Sequence, residues 1–154
     1  MIENTSKRLR LYNINDFDSV KCNFASSKYI DKYLNKPIIF KILKHIKLYE
    51  SFFYVLEIDY SEIVAIGVLR RKFHLFKMKN TFWLYGIEVS LLQRRKEYGT
   101  ILVLKLLEIL KCDNIKKAYL KVDKKNTIAF EMYTKLGFVV YSVKSKNLIM
   151  RIDL

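Results

Sequence analysis

The stretch Asn126-Thr127-Ile128-Ala129-Phe130-Glu131-Met132-Tyr133-Thr134-Lys135-Leu136-Gly137-Phe138 reads as a helix with both its start and its stop written in. Asn126 offers a side-chain acceptor to the first orphan amides. Ile128, Ala129, Met132, Tyr133 and Leu136 form one apolar stripe, and Gly137 suits the residue just past a helix end. Before it, Ala118, Leu120 and Val122 alternate with Lys117, Tyr119 and Lys121, the period of a half-buried strand. After it, Phe138 to Val143 and Leu148 to Leu154 read as two strands around the turn Lys144 to Asn147. The last quarter of the chain is therefore strand, helix and hairpin.

Upstream, a polar turn from Gln93 to Tyr98 leads through Gly99 into a helix that runs to about Lys111. Its polar residues Lys105, Glu108 and Lys111 form a narrow stripe, and Ile101, Leu102, Leu104, Leu106, Leu107, Ile109 and Leu110 fill the rest, so the helix is mostly buried. Phe82 to Val89 is a strand. Phe52 to Tyr60 and Ile63 to Phe73, joined by Ser61-Glu62, form an antiparallel hairpin. Arg8 to Tyr12 suggests a first strand. Asn15-Asp16 offers a helix cap, Phe24 to Leu34 has a loose helical spacing, and Pro37 opens a second helix to about Leu48. The order β-α-α-β-β-β-α-β-α-β-β predicts a mixed α/β (α+β) fold, one mostly antiparallel sheet of about seven strands flanked by helices. Too few βαβ units occur for a doubly wound nucleotide fold.

The chain has 154 residues, about half of them apolar, with only 4 Gly and 1 Pro. That suits a single domain over residues 1–154 without linker or repeat. Cys22 and Cys112 lie far apart and lack metal-ligand spacing, so no metal site or disulfide framework is expected. No apolar run is long enough to span a bilayer, and the N-terminus lacks a signal-peptide core, so a cytoplasmic location and no membrane partner are expected. The formal charge of +14 admits an RNA partner, a phosphorylated small molecule, or plain lysine-rich composition.

Two segments together resemble the GNAT superfamily of acetyl-CoA-dependent N-acetyltransferases. In the first, Val89 ends a strand and Arg94-Arg95-Lys96-Glu97-Tyr98-Gly99-Thr100 opens the following helix, as in the family's Arg/Gln-x-x-Gly-x-Gly/Ala. Arg94 and Gly99 match, whereas Glu97 stands where the first glycine is expected. Such a loop gathers backbone N–H groups and a helix dipole at one point, which suits a diphosphate. The second segment is the stretch quoted above, matching Asn-x-x-Ala-x-x-x-Tyr-x-x-x-Gly-Phe at every named position.

The resemblance covers about Phe52 to Leu154 and implies acetyl-CoA as acetyl donor. It implies cofactor contacts at Val89, Arg94, Arg95, Lys96, Tyr98, Gly99, Thr100, Asn126, Ala129 and Tyr133. Strand Phe82–Val89 would splay from strand Ala118–Asp123 around the pantetheine arm, and the N–H near Val89 would bond the thioester carbonyl. Tyr133 would protonate the leaving thiolate. Glu88 is the candidate general base, with Glu57 and Asp59 behind it and His74 a fainter candidate. A family glutamate five residues before the Asn is Lys121 here, so a water chain is the alternative.

The expected reaction is acetyl transfer to a primary amine of a small molecule or peptide by direct attack on the thioester. The alternatives are acetylation of the α-amine of aminoacyl-tRNA, as in toxin members of the superfamily, and a non-catalytic CoA-binding module. Expected partners are acetyl-CoA and an amine acceptor, with tRNA and a homodimer both possible.

Overall fold

A computed structural model describes residues 6–24, 49–74 and 78–154. Its elements are β1 (Lys7–Leu11), a 3-10 turn (Ile14–Asp16), α1 (Phe17–Asn23), β2 (Tyr49–Ile58), β3 (Glu62–His74), β4 (Lys79–Val89), a 3-10 turn (Leu91–Gln93), α2 (Tyr98–Cys112), β5 (Lys117–Asp123), α3 (Thr127–Lys135), β6 (Val139–Val143) and β7 (Asn147–Asp153). The strands form one seven-stranded sheet in the order β1-β2-β3-β4-β5-β7-β6. Neighbours are antiparallel except β4 and β5, which run parallel because α2 carries the chain across between them.

Alternation along the strands sorts side chains onto two faces. One face meets α2 and α3 in the main core, where Leu102, Val103, Leu106 and Leu110 pack on Leu56, Ala65, Leu84, Leu120 and Met150. On the other face α1 packs through Val20, with Phe24 just past its end, against Val55 and Ile63. Burying the larger core side chains stabilises by about 1.5–3 kcal/mol each, and the leucines of α2 supply several of them.

Sequence and structure differ in two places. The first helix begins at Phe17, directly after the expected cap residue Asp16, whose side chain is engaged with Arg10 instead of capping, and it already ends at Phe24, where the helical spacing in the sequence begins. The β2–β3 turn takes in Tyr60, because Asp59 and Tyr60 both hold left-handed backbone (φ 49° and 59°), as a tight hairpin turn requires. Of the expected helix over Phe24 to Leu34 only Phe24 is described, and the expected helix from Pro37 to Leu48 lies outside the described residues.

Candidate active site

β4 and β5 pair at only three positions, Phe82↔Ala118, Trp83↔Tyr119 and Leu84↔Leu120. Beyond Leu84 they part, while β5 stays paired with β7 as far as Asp123↔Asn147. The parting coincides with a bulge in β4. Between Ile66↔Glu88 and Val68↔Tyr85 the register gains a residue on β4, and Gly86 there has φ +55°. The extra residue bends β4 away from its neighbour.

The gap so formed exposes backbone of β4. Ser90 N–H donates to the Val64 carbonyl at 2.9 Å, so Ser90 and Val64 form a hydrogen-bonded opposite pair. The adjoining pair Ala65↔Val89 is then of the other kind, with the N–H and C=O of Val89 directed away from β3 and into the gap. Arg94 bends back along the same side, its Nε 3.4 Å from the Val89 carbonyl.

Both helices that follow the parallel strands begin at the open end. The ladder of α2 starts with Ile101 N–H donating to the Glu97 carbonyl at 3.0 Å, which leaves the amides of Tyr98, Gly99 and Thr100 ahead of it. Arg95 and Glu97 hold left-handed backbone, φ 65° and 61°, so the loop is crimped twice. Crimped loops of this kind point successive amides inward and suit anions. Glu97 thus stands, at an energetic cost, in a conformation that glycine adopts freely. Arg94, Arg95, Lys96 and Glu97 are all exposed. Lys96 Nζ donates to Gln93 Oε1 at 2.8 Å and Gln93 Nε2 to Glu62 Oε1 at 2.7 Å, tying the loop to β3.

Gly99 has a further reason to be glycine. A Cβ there would lie 3.3 Å from Met132 Sδ and 3.4 Å from Val89 Cγ2, so its absence lets α2, α3 and the end of β4 converge. Tyr98 contributes its side chain to the core and only its backbone to the loop. At α3, Asn126 Oδ1 accepts from Ala129 N–H at 3.1 Å, the expected cap. Tyr133 lies on the core-facing stripe, 7% exposed.

The acid–base candidates separate cleanly. Ile87 and Val89 approach Gly67 and Gly99 on the α2 side, so Glu88 between them faces the other way, opposite Ile66. Glu88 thus points to the α1 side of the gap, on the face opposite Tyr133. Glu57 is buried in a pair with Arg10 (3.2 Å), which also clasps Asp16 at 2.7 Å. The Arg10 hydrogen bonds hold the Asp16 carboxyl below its ordinary range, and the two carboxylates raise Arg10. Asp59 accepts from Ser6 N–H. His74, bonded to Thr81 Oγ1 at 3.0 Å, lies at the opposite end of β3 from Ala65 and Val89. Among the described residues no group of His, Cys, Asp or Glu could hold a metal ion, and no helix is long and apolar enough to cross a membrane.

Sequence reasoning missed the row of rings on the α1 side of the join. Trp83 stacks on Tyr119 (centroids 5.3 Å) and on Tyr85 (6.0 Å), with Lys72 Nζ 4.3 Å above Trp83. Alternation flags each ring as half-buried, but only the β4–β5 register brings them together.

A parallel join thus opens between two helix N-termini in an otherwise antiparallel sheet. The chain belongs to the acetyltransferase (GNAT) family, whose model matches residues 15–138. Solved structures share the fold. PaiA N-acetyltransferase from Thermoplasma acidophilum, in complex with coenzyme A, is 20% identical over 97% of this chain and 99% of that chain, with TM-score 0.68. Mutant forms of the spermidine/spermine N-acetyltransferase SpeG from Vibrio cholerae are 17% identical over 96% of this chain and 95% of that chain, with TM-score 0.70. The ribosomal-protein-S18-alanine N-acetyltransferase from Escherichia coli is 16% identical over 96% and 94%, with TM-score 0.64. No curated protein matches the chain by sequence.

Proposed function

We propose that the chain moves an acetyl group from acetyl-CoA to a primary amine of a small molecule or peptide by direct attack on the thioester. One observation carries the reading: the β4–β5 gap has two helix N-termini at its open end on one face and Glu88 on the other. The phosphates fit the amides of Tyr98, Gly99 and Thr100 with Arg94, Arg95 and Lys96 around them, and the capped turn at Asn126 and Ala129 lies beside the arm.

Acetyl-CoA supplies an acyl thioester. Glu88 takes the proton of the incoming ammonium, directly or through water, on the α1 side. The Val89 N–H donates to the carbonyl oxygen as negative charge grows there. Tyr133, on the α3 side, gives a proton to the departing sulfur. The new bond is N–C and the broken bond C–S; the nitrogen loses two protons, the first to Glu88 and the second from the tetrahedral adduct by the same route, Tyr133 regains its proton, and the products are an N-acetyl amine, the free thiol and one proton released to solvent. Attack and departure thus occur on opposite faces of the sheet.

The test is thiol release from acetyl-CoA over amines, peptides and charged tRNA. Release that depends on a free amine supports the reading. Release only with charged tRNA redirects it to the RNA acceptor, and saturable acetyl-CoA binding without release under any acceptor leaves a binding module.

A further inference from the structure

The face of the gap turned away from α2 and α3 is built to choose an acceptor. At the closed end of the gap, Trp83 and Tyr119 stack across the join with an interplanar angle of 27°, and Tyr85 continues the row past it. Lys72 lies along the row: its Nζ is 5.2 Å from the Tyr85 centroid and donates to the Tyr85 hydroxyl at 2.6 Å. On β5, Ala118, Leu120 and Val122 are buried in the main core, so Lys121, exposed, projects to the ring side. Glu88 projects to the same side from β4. The two strand edges that bound the gap therefore carry opposite charges beyond a floor of rings.

Resting on the acetyl-transfer reading, we propose that the acceptor is a zwitterion: a primary amine joined through a flat, ring-bearing body to a carboxylate or phosphate, and not a polyamine. The ammonium is drawn to Glu88, the ring packs beside the Trp83, Tyr85 and Tyr119 row, whose faces are engaged with one another and with Lys72 and Arg70, and the anion meets Lys121 and Lys72. A polyamine would bring further positive charge against both lysines, and like charges in contact are strongly discriminating.

The experiment uses the full chain. Acetyl-CoA binding is read first by thermal shift. Binding and kcat/KM are then compared for L-phenylalanine against L-phenylalaninamide, for pyridoxamine 5′-phosphate against pyridoxamine, and for spermidine. The anionic member of at least one pair should be favoured by about tenfold or more, with spermidine last; the pair that shows it tells carboxylate from phosphate. Lys121→Glu should erase the preference. Lys111→Glu, the same charge change on the far helix, should keep it, which separates a local contact from net charge. A chain that binds acetyl-CoA yet favours the neutral probes or spermidine, or engages neither anionic probe, overturns the zwitterion assignment. A chain that fails to bind acetyl-CoA takes the acetyl-transfer reading down with it.

Discussion

The ring of Tyr133 meets that of Phe138 edge-on, centroids 5.7 Å apart, while the Phe138 N–H donates to the Tyr133 carbonyl at 3.0 Å. Together with Gly137 N–H to the Thr134 carbonyl, 3.0 Å, and Gly137 at φ +94°, this is a Schellman stop with its usual apolar clasp. The Tyr-x-x-x-Gly-Phe half of the motif thus has a folding role, and any chemical role of Tyr133 rests on the hydroxyl alone.

Tyr133→Phe keeps the ring and its clasp. It should lower kcat by about 10²–10⁴-fold with acetyl-CoA affinity and melting temperature nearly unchanged. Single-turnover rates and a binding titration check this, and unaltered turnover would reassign Tyr133 to packing. Phe138→Ala, by contrast, should cost about 3–5 kcal/mol of stability.

Glu97 holds left-handed backbone with a carboxylate beside the proposed phosphate site. Non-glycine residues there cost about 1–2 kcal/mol, partly offset by the unfolded-state entropy of glycine. Glu97→Gly should raise the melting temperature by about 2 °C and tighten acetyl-CoA by about threefold or more. Weaker acetyl-CoA binding would place the phosphates elsewhere.

At Gly99, alanine meets Met132 and Val89 at contact distances those side chains can yield, so Gly99→Ala should fold with a small loss of melting temperature. Gly99→Leu should separate α2 from α3 and abolish the thermal shift given by acetyl-CoA. A full shift in the leucine variant would sink the placement of the loop.

The Arg10 clasp gives a pH signature. The Asp16 carboxyl is held below its unfolded value chiefly by the Arg10 hydrogen bond. Its stabilisation is therefore complete above about pH 4, the unfolded range, and is lost as pH falls through the lower folded value. Asp16→Asn should be less stable than the parent at pH 7, with the difference shrinking below about pH 4. Urea midpoints across pH test it, and a constant difference would refute the linkage.

The second half of the fold was legible because its signals are local. Asn126 caps, Gly137 stops, and α2 turns a broad apolar face to the sheet, although Leu104 is left exposed beside Glu108 and Lys111, so propensity and packing agree. The start at Phe17 was legible from Asp16, but not that its side chain is spent on Arg10 or that the helix ends at Phe24. The site was legible only in part. Arg94 to Thr100 and Asn126 to Tyr133 stand in contiguous runs, whereas the bulge at Gly86 and the meeting of Trp83 with Tyr119 are products of register between strands distant in sequence. Glu88 could be named from sequence, but its direction depends on that bulge.

The three-position join also has a mechanical consequence. Among the described residues it is the sheet's only backbone seam between a leaf of β1 to β4 and a leaf of β5, β7 and β6, and side chains of α2 supply much of the remaining adhesion. Backbone amides of the two leaves should exchange with deuterium as separate cooperative units. A ligand threaded between the leaves would weld them, merging two rates of opening into one.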